Sequence, residues 1–199
     1  MDHERFLHEA YRRHPESGAF IIDVDLDRYA DVFNEWDRGP LRRRDIDPDL
    51  LFFLKACSSD IPLDQPIRLS LSLSKPQQDP NKESWITEGL RNYFAFCVYG
   101  DRQELKKNRK TTLRLLGIAF VFLTVVYLIK PYWSHSLMTE VFSEGLMIGG
   151  WVFLWEAISS FAFHRRDVLR SLREQQRFLD APIDFQYYEP KASPPLKEA

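Results

Sequence analysis

Two apolar runs dominate the pattern of the chain. Leu115 to Ile129 (LLGIAFVFLTVVYLI) carries no charge, and extending it to Thr111 and Tyr132 takes in Arg114 and Lys130, whose long stems reach the interfaces. The extended run has the roughly 20 residues that a helix needs to cross about 30 Å of hydrocarbon. A second run, Gly145 to Phe163, is of similar length and holds one charge, Glu156. The pattern predicts transmembrane helices over 111–132 and 145–163. Between them, 133–144 reads as a short extracytoplasmic loop, with Pro131 ending the first helix and Tyr132 and Trp133 at the interface.

Outside these runs the periodicity alternates between helix and strand. Glu4 to His14 presents Phe6, Leu7, Ala10 and Tyr11 on one face of a short helix, stopped by Pro15 and Gly18. Ala19 to Asp27 alternates Ile22, Val24 and Leu26 with Asp23, Asp25 and Asp27, a strand with one wet face. Asp47-Pro48 opens a helix through Cys57. Ile67 to Ser74 (IRLSLSLS) is the clearest strand, and Lys75 to Lys82 reads as a loop. Asp79-Pro80 repeats the capping signature, and no proline follows until Pro131. One helix, bent near Gly100, is therefore predicted to run into the first span. Helix continues past the second span to about Asp180, and Ile183, Phe185 and Tyr187 then form a third short strand.

Two strands alone are marginal, so the economical arrangement joins the last strand to the first two in a sheet of about three strands flanked by helices. The expected fold is an α+β membrane protein, a two-helix transmembrane hairpin plus a small cytoplasmic domain. Residues 1–110 begin that domain, 164–189 complete it, and 190–199 form a polar, proline-rich disordered tail.

Charge orients the hairpin. Arg102, Lys106, Lys107, Arg109 and Lys110 precede the first span, and Arg165, Arg166, Arg170 and Arg173 follow the second, against Lys130 alone between them. The positive-inside rule puts both termini in the cytoplasm of a multi-pass inner-membrane protein. The charged start, MDHERFLHEAYRRH, has no apolar core and predicts no cleaved leader. Over all 199 residues, 27 Lys+Arg against 29 Asp+Glu give a net charge of −2, which argues against nucleic acid as a partner. Mean hydropathy, −0.37, reads as soluble only because the average conceals the two runs. Two cysteines, Cys57 and Cys97, are too few for a disulfide framework and fall on apolar helix faces.

Glu156 is the most informative single residue, because a carboxylate at membrane depth is costly and needs a partner or a wet cavity. At 100° per residue it lies about 20° around the helix from Gly145, with Gly149 about 40° from Gly145. Gly145 and Gly149 form a G-x-x-x-G pair that admits another helix, from the first span or from a second copy. Arg114, also toward the cytoplasmic end of its helix, is the natural counter-ion. Asp23, Asp25 and Asp27 place three oxygen ligands on one side of a strand, the weak candidate for a divalent metal. The spacing opens like an EF-hand loop, but Arg28 stands at the glycine position and Asn34 where the bidentate acid belongs, so that match fails. Arg42, Arg43 and Arg44 suit anionic head groups or an acidic partner. No nucleophile elbow, HExxH, phosphate loop or CxxC occurs, so no catalytic residue and no cofactor is implied.

The stretches Trp36 to Leu54 and Glu144 to Arg170 resemble those of small uncharacterised bacterial inner-membrane proteins that pair a transmembrane hairpin with a cytoplasmic domain. The resemblance implies a bacterial setting and no activity. The expected function is a non-enzymatic scaffold in the lipid bilayer whose cytoplasmic α+β domain docks a protein partner, with the Gly145, Gly149 and Glu156 face mediating helix association, within the chain or with a second copy. The alternatives are a metal-dependent membrane-surface enzyme using the three aspartates and a small transport subunit using Glu156.

Overall fold

The computed structural model describes residues 3–37, 39–40, 44–132 and 137–189. The described residues form two compact units, one running up to Val98 and resuming at Arg173, the other from Tyr99 to Leu172. The first holds a four-stranded sheet in the order β1 (Arg12–Arg13), β2 (Phe20–Asp25), β3 (Ile67–Ser74), β4 (Ile183–Tyr188). β1 is antiparallel to β2, while β2, β3 and β4 are mutually parallel. Helix α1 (His3–Ala10) precedes the sheet and α2 (Pro48–Asp60) lies in the crossover from β2 to β3.

Alternation decides the two faces. Phe20, Ile22 and Val24 of β2 and Ile67, Leu69, Leu71 and Leu73 of β3 are buried in one core with Leu54 of α2 and Ile86, Leu90 and Phe94 of the long helix α3 (Pro80–Ile129). Phe94 stacks on Phe178 at 4.9 Å between ring centroids. The other face is polar, with register rows Asp23, Ser70, Asp184 and Asp25, Ser72, Gln186. Both aspartate–proline signatures act as caps: the Asp47 carboxylate accepts from the amides of Asp49 and Leu50, and that of Asp79 from Asn81 and Lys82.

The structure departs from the sequence reading at the start of the chain. The helix expected to His14 ends at Ala10, and Arg12–Arg13 form a fourth strand against Ile21 and Phe20. Tertiary contacts outweigh local propensity there. Arg12 reaches Asp23 at 2.6 Å, and the Arg13 guanidinium sits 4.3 Å from the Phe20 ring centroid. Gly18, at φ 67°, takes the left-handed turn that lets the chain double back.

The β3-to-β4 crossover is α3, α4 (Leu137–Ser159), a π-helical turn (Ser160–His164) and α5 (Arg165–Asp180). α3 is unbroken past Gly100, as the missing prolines predict. α4 starts at Leu137, inside the stretch read as loop, because nothing from there to Ser159 breaks a helix. Two helical stretches, Pro80–Tyr132 and Leu137–Asp180, are long and apolar enough to cross a membrane, with windows of mean hydropathy 2.2 and 1.5. The tail 190–199 lies outside the described residues.

Candidate functional site

Within the second unit the packed seam of the hairpin is built on a seven-residue repeat. Thr112, Ala119 and Val126 are buried on α3, and Ser143, Gly150 and Ala157 on α4. A repeat of seven keeps one stripe of a helix facing its partner, and small residues let the axes approach. At Gly150 the packing is tight: an added β-carbon would lie 2.8 Å from Leu123 Cδ2 and 2.9 Å from its Cγ. Phe122 and Phe153 close one flank with centroids 5.6 Å apart.

Gly149 stands at the edge of this seam, its would-be β-carbon 3.9 Å from Phe122. Gly145 is exposed, with nothing within 4 Å of that position. Glu156 is exposed too, as its 20° offset from Gly145 requires, and so is Arg114. Among the described residues the two form no ion pair within one chain, so the intrachain grip runs through Gly150 rather than through the Gly145 and Glu156 face. The missed signal was the repeat of small residues 143, 150, 157, partly masked by the adjacent Gly149-Gly150 pair.

Toward the charged ends of the hairpin, apolar packing gives way to a polar ladder. Ser171 Oγ donates to Asp101 at 2.9 Å, and His164 Nε2 lies 3.1 Å from Glu104 Oε1. Ser160 Oγ donates to Asn108 Oδ1 at 2.6 Å, while Asn108 Nδ2 donates to the Ser160 carbonyl at 3.3 Å. That carbonyl also accepts from the Arg165 amide across the π-turn. Asn108 thus supports the backbone where the helix widens, the type of irregularity that clusters at functional positions.

In the first unit the acidic strand is engaged by its neighbours. Both Asp23 oxygens accept from Arg12, so a cation taking Asp23 as a ligand has to displace a guanidinium. Asp25 lies beside Tyr188, whose hydroxyl is pushed up in pKa by desolvation and by that carboxylate. The Asp27 carbonyl accepts from Gln77. Among the described residues no three His, Cys, Asp or Glu side chains converge as a metal site. Arg44 Nε donates to the Gly39 carbonyl at 2.7 Å, closing its own loop, while Arg42 and Arg43 lie outside the described residues. Amides of Gly39 and Asp45, with Arg44 nearby, hold the Asp37 carboxyl below its ordinary range. Cys57 is buried and Cys97 half-buried, neither in a disulfide, and burial raises the Cys57 pKa.

Two further clusters had no sequence signal. Arg177 of α5 donates to the carbonyls of Ser58, Ile61 and Pro62 and to the Ser58 hydroxyl, satisfying the C-terminal end of α2. Tyr187 of β4 donates to Glu83 and shares a 2.7 Å hydrogen bond with Tyr29, whose hydroxyl accepts from the Asp79 amide. Compared with family models, curated proteins and solved structures, the chain matches none.

Proposed function

We propose that this chain is a two-span membrane scaffold that keeps its α+β domain on the cytoplasmic side and associates laterally through the outward face of α4. The observation that carries the reading is the parallel pairing of β3 with β4. Those strands flank the hairpin in sequence and belong to one sheet, so a chain that enters a bilayer after β3 has to return to the same side before β4. Two crossings meet that condition and one does not. Charge favours the cytoplasm as that side, since nine cations flank the spans there against Lys130 at the turn.

Burial supports the hairpin as a bilayer element. Only 17% and 11% of the two apolar windows are buried, whereas a hairpin in a soluble core covers most of its apolar surface. Phe120, Tyr127, Leu128, Met138 and Trp155 are all exposed, a dress that suits acyl chains. The outward face of α4 carries Gly145 and Glu156, a close-approach site and an uncompensated charge, and a second copy offers its Arg114 as the counter-ion.

The test is topological. Protease added outside intact spheroplasts spares tags at both ends, while a periplasm-activated reporter inserted after His135 is active. Digestion of either tag, or release of the protein by alkaline carbonate, overturns the reading.

A further inference from the structure

The second unit contains a cavity of about 560 Å³ between α3 and the π-turn with the start of α5. We infer that it is a binding site for the anionic phosphodiester head group of a membrane lipid, an inference that rests on the membrane reading above. Lys106, Arg109 and Arg165 contribute its cations, and its lining includes no carboxylate. Among the described residues none of the three is in an ion pair. The Arg165 guanidinium is held 5.1 Å from the Phe161 ring centroid, so its position is set before any ligand arrives. Arg109 and Lys106 also border a second groove of about 520 Å³ with Lys110, which extends the same positive field along α3.

A buried, unsatisfied group belongs to the lining of the site. Thr112 lines the cavity, is 7% exposed, and its hydroxyl has no hydrogen-bond partner. Buried hydroxyls in native proteins are almost always satisfied, so one left open beside three cations is complementary to an anionic oxygen acceptor.

The lining also sorts ligands by shape. Leu113 and Leu116 follow Arg109 by about 6 and 10 Å along the helix axis, and both side chains are exposed. A ligand with its phosphate at the cations therefore has apolar wall running on into the first span. That is the layout of a phosphate ester carrying acyl chains, and a soluble phosphate uses none of the wall. A choline head group adds an ammonium for which the lining supplies no anion, so selectivity for an anionic lipid follows.

The experiment uses the full chain in mild detergent, with dioleoyl-phosphatidylglycerol and dioleoyl-phosphatidylcholine in equal amounts and retained lipid counted by native mass spectrometry. Phosphatidylglycerol is expected to be kept in preference. Arg109→Gln with Arg165→Gln lowers retention roughly tenfold, Thr112→Val lowers it several-fold without changing the melting midpoint, and Lys130→Gln leaves it unchanged. If the double variant misfolds by circular dichroism, the Thr112→Val result decides. Equal retention of both lipids, or full retention in Thr112→Val, overturns the inference, as does displacement of the lipid by millimolar glycerol phosphate. Failure of the membrane reading is seen separately, as protein that carbonate strips from membranes before any lipid is added.

Discussion

Gly150 of α4 packs against Leu123 of α3 with room for a hydrogen but not for a methyl group. Leu123 belongs to a packed seam rather than to a free surface, so the helices have to part if Gly150 gains a side chain. Gly150→Ala is expected to destabilise the hairpin by about 1–3 kcal/mol and Gly150→Leu by more. Gly145→Ala, with open space at that position, is expected to stay within about 0.5 kcal/mol. Unfolding of the full chain by sodium dodecyl sulfate titration in micelles measures both, and equal effects at the two glycines contradict the seam.

Arg177 joins an element that follows the hairpin to one that precedes it. Its guanidinium takes up the Ser58 and Ile61 carbonyls at the end of α2, where the helix has no internal donors left, and that of Pro62 just beyond. Removing it takes this donor from the Ser58 and Ile61 carbonyls, while that of Pro62 keeps the Gln65 amide. Arg177→Met keeps most of the apolar stem and is expected to cost roughly 2–4 kcal/mol. Arg177→Lys recovers only part of this, because an ammonium lacks the planar fork. Thermal melts followed in the far ultraviolet read the difference, and an unchanged midpoint for Arg177→Met refutes the capping role.

The Tyr187 hydroxyl gives the fold a dependence on alkaline pH. Desolvation, with the hydrogen bonds to Glu83 and Tyr29, pushes its pKa above the ordinary tyrosine value. The neutral form is the one the fold holds, so this stabilisation is complete below about pH 10, the unfolded value, and is lost as pH rises through the folded one. Tyr187→Phe is expected to cost about 1–2 kcal/mol at pH 7. The gap between variant and wild type should narrow above pH 10, as ionisation of the tyrosine in the unfolded chain, with Tyr187 still neutral in the fold, favours unfolding of the wild type alone. A gap constant from pH 7 to pH 11 in urea-unfolding curves refutes it.

The sheet was legible where one face is polar and the other apolar. Ile67 to Ser74 alternates without a fault, and the strand found there has those limits. Asp47 and Asp79 announce their helices because a carboxylate ahead of a proline has one favourable use at that position. β1 was not legible. Arg12 and Arg13 have no strand preference that outweighs the apolar spacing of Phe6, Leu7, Ala10 and Tyr11, and what fixes them is Asp23 and Phe20, out of reach of a local reading. The hairpin was legible in its length but not in its register. Gly145 and Gly149 advertise close approach, yet the seam follows Ser143, Gly150 and Ala157, and only the partner helix tells the two stripes apart. The pairings of Arg177 and Tyr187 span more than a hundred residues of sequence, and no periodicity reports such distances.

Glu156 and Arg114 supply the last prediction, since each is exposed on the apolar part of the hairpin and the two do not meet within one chain. In water such exposure is harmless, but in hydrocarbon an isolated carboxylate or guanidinium is costly, by about 2.5–3.5 kcal/mol on insertion scales. Pairing across two copies relieves both costs at once, and two-fold symmetry makes the contact twice. Cysteine cross-linking in membranes is therefore expected to show a dimer that Glu156→Gln and Arg114→Gln each weaken. The double variant should be no weaker than either single one, because both remove the same pair. Exchanging the charges, Glu156→Arg with Arg114→Glu, should restore the dimer, whereas Gly150→Ala disturbs the hairpin without that rescue. If the double variant sums the two single losses, the residues act independently and the contact between copies lies elsewhere.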